Sequence, residues 1–268
     1  MDEPRDMRQL ARRLARRYLS PDTRRRALTG YRALRAWPPV GLGRLKMRGL
    51  VPVSREFGLD RGKPIDRHYI EDFLSRHGGQ RNYAPGAVRG VVLEVGEDVY
   101  ARRFGDGDQL ERVDVLDASA ANPRATVVAD LSDAPELSSS TYDCIICTQT
   151  LLLIYDVRAA VRTLHRILKP GGTLLVTVPG VSQICHPDME SWGDYWRFTS
   201  LSARRLFEEF FDPSNVTVET FGNVLTASAF LYGLGVRDLR RSELDVRDPD
   251  YQMLIAVKAV KPAEPAAS

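Results

Sequence analysis

From residue 91 onward the chain alternates short β-branched apolar runs with stretches of helical periodicity, and few folds accept that alternation. The strand-like runs are residues 91–95, 111–116, 125–129, 143–148 and 173–178, then a late pair at 215–221 and 251–260. Strands separated by helix-length segments pair in parallel through crossovers, which covers both faces of one sheet with helices. The clearest helix lies between the fourth and fifth runs. Asp156 is placed to cap it, and Val157, Ala160, Val161, Leu164, Ile167 and Leu168 form one apolar stripe. "KPGG" at 169–172 then ends it, because Pro cannot continue a helix and Gly accepts the positive φ of the turn.

The 268 residues suffice for one large α/β domain with appendages. No apolar run approaches the roughly 18–20 residues of a membrane span, and the arginine-rich start has no apolar h-region. A cytoplasmic protein is expected. Of three cysteines, Cys144 and Cys147 spell C-x-x-C inside an apolar β-branched run. Side chains three apart on a strand face opposite ways, so the pair reads as two core residues. The net charge of +3 hides an asymmetry, for the first 50 residues carry roughly ten net positive charges. Met7, Leu10, Ala11, Leu14, Ala15 and Tyr18 recur at helical spacing, with Arg12, Arg13, Arg16 and Arg17 mostly between them. This basic amphipathic helix is read first as a solvated face docked on its own domain. RNA, an anionic surface or an acidic partner are the alternatives. "WPPVGLG" breaks the chain at 37–43, and "PIDRHYIEDFLSRHGG" is a second helix ending in paired glycines. The expected division is a helical N-terminal extension (1–80), a main domain (81–261) and a disordered tail (262–268).

"LEVG", "VADL" and "YDCIICTQTLLLIYDVRAAVRTLHRILKPGGTLLVTVPG" together resemble the class I S-adenosylmethionine-dependent methyltransferases, over about residues 90–180. "VPVSREFGLDRGKPIDRHYIEDFL" and "WGDYWRFTSLSARRLFEEFF" resemble a bacterial subfamily found beside glycosyltransferases and biosynthetic clusters. The resemblance implies a Rossmann-like seven-stranded, mostly parallel sheet and S-adenosyl-L-methionine as cofactor, with S-adenosyl-L-homocysteine as product.

In such a sheet the ligand lies beyond the carboxyl ends of the strands, where strand order reverses. Gly96 lets the backbone approach it, and Asp114, about 20 residues past Glu94, is spaced to accept the ribose hydroxyls. Asp117 is a rival for that role. The family places a side chain on the adenine amino group at the end of the third strand, which falls on Asp130, and a backbone N–H on the ring, which falls on Leu131. Thr148, Gln149 and Thr150 leave the fourth strand towards the sulfonium. The turn after Gly96 lacks the glycines of a dinucleotide site, but this cofactor has no pyrophosphate to wrap. Glu94, Glu97 or Asp98 then serves its ammonium. Arg102, Arg103 or a basic residue of 55–67 pairs its carboxylate.

Methyl transfer needs alignment of donor and acceptor first, and a base only where an acceptor proton must leave. In "GVSQICHPDMESWGDYWRFT", His186 is the preferred base and Asp188 the second. Trp192, Tyr195 and Trp196 are spaced as a stacking wall for the acceptor. Arg197 is assigned to an anionic acceptor, or to anchoring the loop. The expected acceptor is a small molecule or glycan, methylated at oxygen. No metal ligands are assigned, and a homodimer is compatible with the reading. A non-catalytic partner subunit and an RNA methyltransferase are the competing readings. The latter lacks an Asn/Asp-Pro-Pro-aromatic tetrad, so nucleic acid is not the expected acceptor.

Overall fold

The computed structural model describes residues 50–79 and 86–263. The arginine-rich helix expected before residue 20 and most of the expected tail lie outside these residues. Seven strands form one sheet: β1 (Gly90–Val95), β2 (Leu110–Asp117), β3 (Val127–Val128), β4 (Tyr142–Thr148), β5 (Leu168–Pro179), β6 (Val216–Phe221) and β7 (Leu254–Val260). Their order is β3-β2-β1-β4-β5-β7-β6. The first five pair in parallel, Leu93 lying opposite Asp114 on one side and Ile145 on the other. β7 runs antiparallel between β5 and β6, with Val257 opposite both Val176 and Val218. Strand order reverses between β1 and β4, which opens a crevice at their carboxyl ends.

The alternation of side chains across the sheet divides the core in two. Leu93, Ile145, Cys147 and Val176 pack on one face under α3 (Val157–Ile167) and α5 (Ser200–Glu208). Val92, Cys144, Ile146 and Leu175 pack on the other under α1 (Ile65–His77), α2 (Val99–Phe104) and α6 (Val224–Leu231). Strands covered on both faces read as continuous apolar runs, as "DCIICT" does. The two cysteines of C-x-x-C accordingly face opposite cores. Burial raises both thiols, Cys147 to about 12. α1, which the sequence places in the N-terminal extension, shares the second core through Ile65, Ile70, Phe73 and Leu74.

α3 starts and stops where its sequence indicates. The Asp156 carboxylate accepts the Ala159 N–H at 3.0 Å, and Ala160, Val161, Leu164 and Ile167 are buried. β5 begins immediately at Leu168. Within "KPGG", Gly171 takes φ +78°, and the pairing with β4 jumps from Tyr142–Leu168 to Cys144–Thr173. The Pro-Gly-Gly turn is thus an irregularity inside the strand entrance rather than a separate loop. The third strand is the shortest, two residues where the sequence suggests five.

Candidate functional site

Two cavities adjoin at the carboxyl ends of the strands, and Leu153 lines both. The first, about 520 Å³, opens beyond β1, β2 and β3 and is bordered by Gly96, Asp117, Asp130, Leu131, Thr150 and Tyr155. The second, about 600 Å³, lies between residues 55–67 and 182–188, with Gln149 on its floor. A further hollow of about 690 Å³, lined by Asp143, Gly171 and Lys258, sits at the opposite, amino ends of the strands. Ligands of open α/β sheets bind at the carboxyl ends instead.

The turn after β1 is built for close backbone approach. Gly96 has φ +89°, and a Cβ there would meet nothing within 4 Å, so the space belongs to the cavity. Asn122 fastens the turn, its Nδ2 donating to the Gly96 carbonyl and to Asp117 Oδ2, both at 2.8 Å. Asp117 Oδ1 accepts the Ser119 N–H at 2.8 Å. Each carboxylate oxygen therefore keeps a lone-pair direction for a ligand. Asp130 accepts from Ser132 N at 2.9 Å and Ser132 Oγ at 2.8 Å. Leu131 is buried beside it.

Several expected ligands stand elsewhere. Asp114 lies mid-strand, bonded by Arg112 Nε at 3.1 Å, and borders neither cavity. With burial, its charge raises the Tyr142 phenol to about 12. β2 runs on three residues further, and its last residue, Asp117, is the carboxylate at the cavity. Glu94 also borders neither cavity. It is buried and caps α2, accepting Tyr100 N–H at 3.1 Å and Ala101 N–H at 2.7 Å. Burial pushes its carboxyl up to about 7 against those two bonds. Arg102 pairs with Asp98, and Arg103 with Glu71 at 2.9 Å. Thr148 ends β4 without lining a cavity, and its carbonyl accepts Thr150 Oγ1 at 3.1 Å.

The aromatic wall exists but turns to the first cavity. Trp192 and Tyr195 line it beside Tyr155. Tyr195 meets Tyr155 edge-on at 5.3 Å between centroids, and Trp196 stacks on Tyr155 at 6.0 Å. Trp196 Nε1 donates to the Ile154 carbonyl at 3.0 Å. Arg197 is an anchor rather than a ligand, because all five of its N–H donors are committed. They reach Asp194 twice and the carbonyls of Ser182, Gln183 and Trp196. Asp194, its side chain 1% exposed, also accepts the Cys185 N–H at 3.1 Å. That knot holds residues 182–188 and Asp194 as the outer wall of the second cavity.

His186 and Asp188, on the short helix α4 (His186–Ser191), border the second cavity. Facing them are Arg55, Phe57, Asp66 and Arg67, and Gln183 Nε2 ties the two walls by donating to the Arg55 carbonyl at 2.8 Å. Asp66 was not singled out by sequence reasoning. "PIDRH" reads only as an acidic first turn of a helix, which carries no signal that the carboxyl faces a cavity. Burial raises it above the usual carboxylate range, opposed by Arg67 and its N–H. Among the described residues no helix is long and apolar enough to cross a membrane.

A family model described as a methyltransferase domain matches residues 67–219, more than half of the chain. Among curated proteins, "Probable polyketide synthase 5" of Dictyostelium discoideum is 31% identical over 81 residues, 30% of this chain and 3% of that protein. The chain thus spans a small fraction of that relative's length. Among solved structures, a chain of the complex between the Haloferax volcanii Trm112 methyltransferase activator and a methyltransferase superposes with TM-score 0.48. It is 17% identical, over 74% of this chain and 91% of that one. Phosphoethanolamine N-methyltransferase 2 of Haemonchus contortus, in complex with S-adenosyl-L-methionine, gives TM-score 0.47. It is 15% identical, over 80% of this chain and 54% of the other.

Proposed function

We propose that this chain, which belongs to the methyltransferase-domain family, moves a methyl group from S-adenosylmethionine to an oxygen of a small molecule or glycan. The observation that carries the reading is the pair of adjoining cavities at the strand-order reversal, divided at Leu153. One compartment suits an adenosine and the other an acceptor. In the first, Gly96 admits the methionyl backbone and Asp117 takes the ribose hydroxyls. Asp130 takes the adenine amino group, the Leu131 N–H the ring, and Trp192 and Tyr195 cover the open side. The bound donor supplies a methyl on a cationic sulfur, so alignment with the nucleophile accounts for most of the acceleration. The second compartment holds the acceptor between residues 55–67 and 182–188 and keeps water from it. His186, Asp188 and Asp66 border that space, and the acceptor proton leaves to one of them.

Calorimetry with S-adenosylhomocysteine tests the reading. Micromolar binding is expected. Asp117→Ala should weaken it by about 2–3 kcal/mol, the scale of hydrogen bonds to a charged group, while Asp114→Ala leaves it unchanged. Absence of heat at millimolar ligand, or a loss confined to Asp114→Ala, refutes the assignment.

A further inference from the structure

Aromatic surface stays open around the mouth of the donor compartment. Tyr155, Met189, Trp192, Tyr195 and Trp196 are between 36% and 71% exposed, and the ring contacts of Tyr155 join three of them into one patch. Single exposed apolar residues need no explanation, but a contiguous group marks a site of contact. Carboxylates rim this patch. Asp130 and Asp156 line the same cavity as Tyr155, Trp192 and Tyr195. The Asp133 N–H bonds the Asp130 carbonyl at 3.0 Å, and Asp188 and Glu190 flank Met189 on α4. Among the described residues none of these five carboxylates has a partner in an ion pair. The surface therefore fits a partner that brings apolar contact together with positive charge. Guanidinium groups suit it best, because they stack on aromatic faces and pair with carboxylates in one contact. The same face of a second copy does not suit it, since like charges would meet across the contact. An anionic membrane is repelled for the same reason.

The chain itself carries the complement. Residues 1–49 hold 14 of its 38 Lys and Arg but four of its 35 Asp and Glu, so that segment is +10 and the remainder −7. Within it, residues 5–18 have six arginines and one acid, with Met7, Leu10, Leu14 and Tyr18 at helical spacing. The described chain also begins beside the patch. The Arg55 carbonyl accepts from Gln183 Nε2 at 2.8 Å, and α4 starts three residues after Gln183. Only 31 residues separate Tyr18 from Leu50, and a tether of that length gives roughly millimolar effective concentration. We propose that the surface of Tyr155 and residues 188–196, with its rim of carboxylates, docks the arginine-rich segment 5–18 of the same chain. Met7, Leu10, Leu14 and Tyr18 meet the aromatic rings, and the arginines reach the carboxylates. The contact needs neither cofactor nor acceptor, so it stands apart from the methyl-transfer reading.

The test uses the full chain labelled with ¹⁵N-tryptophan. Its three indole signals belong to Trp37, Trp192 and Trp196, and Trp192→Phe and Trp196→Phe assign them. A nitroxide is attached at Gln9→Cys in a Cys185→Ser background, the other two cysteines being buried. The Trp192 and Trp196 signals should lose most of their intensity. Arg12→Glu, Arg13→Glu, Arg16→Glu and Arg17→Glu together should restore both. So should Asp133→Lys with Glu190→Lys, which reverses the rim at two exposed carboxylates and serves if the arginine variant does not fold. Full intensity in the unreversed chain overturns the proposal, and so does broadening that survives the reversals. A mixture of nitroxide-bearing chain without ¹⁵N and ¹⁵N-labelled chain without nitroxide decides the occupant. Both signals should stay sharp there, and broadening would give the surface to a second copy's segment and overturn the intramolecular contact.

Discussion

Replacing Arg197 by methionine separates an anchor from a ligand. The substitution keeps the apolar stem and removes five donors, leaving the Asp194 carboxylate, 1% exposed, with only the Cys185 N–H at 3.1 Å. Burial would raise the Asp194 carboxyl, yet the hydrogen bonds from Arg197 and Cys185 outweigh it and hold the group below the usual range. Breaking a buried pair by removing one partner costs about 3–5 kcal/mol. The guanidinium is 24% exposed, so solvent screens part of the attraction, and about 2–3 kcal/mol is the expected loss. The loss falls on the segment the knot holds, since the strands beneath are independent of it. Hydrogen exchange should therefore accelerate about 30- to 150-fold at the amides of Cys185 and Tyr195, with less change in the strands. The Tyr195 amide is a sensitive reporter because it bonds the Leu152 carbonyl at 2.9 Å across the junction. Unchanged protection at both amides would refute the anchor and return Arg197 to the acceptor.

Three further outcomes follow from burial and charge. The Glu94 carboxyl stands at about 7 in the folded protein against an ordinary 4.5. Its contribution to stability is therefore complete below pH 4.5 and fades as pH rises through 7. Glu94→Gln should flatten that part of the pH–stability curve, and a curve parallel to wild type would contradict the burial argument. Glu219 shows the opposite sign: bonds from His77 at 3.2 Å, Arg76 at 2.9 Å and Arg247 at 3.1 Å hold it far below the usual carboxylate range. Its stabilisation is present above that range and disappears as pH falls through it. Glu219→Gln should cost about 1–3 kcal/mol at pH 7 by urea unfolding and nothing in strong acid. A loss equal at both pH values would mean a packing effect instead. Gly96→Ala should leave urea stability lower by about 1 kcal/mol from the positive φ, and reduce S-adenosylhomocysteine affinity further because the methyl enters the cavity. Unchanged affinity would place the ligand elsewhere.

The periodicities carried the sheet and not its edges. "GVVLEV", "DCIICT" and "LLVTVP" had to be buried strands, and the stripe ending at Ile167 had to be a helix. Which residue of a strand reaches the carboxyl edge depends on where the strand stops, and no spacing rule supplies that. Asp114 and Asp117 lie on the same strand three residues apart, and only the longer run of β2 decides between them. Which cavity Tyr195 borders, and which of its two sequence readings Arg197 follows, are undecided by the sequence for a related reason. Their placement goes with hydrogen bonds from the Tyr195 N–H to Leu152 and from Arg197 to Ser182 and Gln183, contacts set in the folded loop and invisible in a local pattern.

The position of β7 bears on how the molecule is made. It leaves a ribosome after the other six strands of this sheet, yet it occupies an interior slot, with Ile255, Ala256 and Val257 fully buried between β5 and β6. While residues 254–260 are still inside the exit tunnel, β5 has an unpaired flank, and β6 has no partner in the sheet. Such an open flank invites pairing with another nascent chain. β7 is therefore the closing piece of the sheet's assembly. A messenger or a protease that removes it should yield aggregated protein, even though every lining residue of both cavities except Leu254 precedes it.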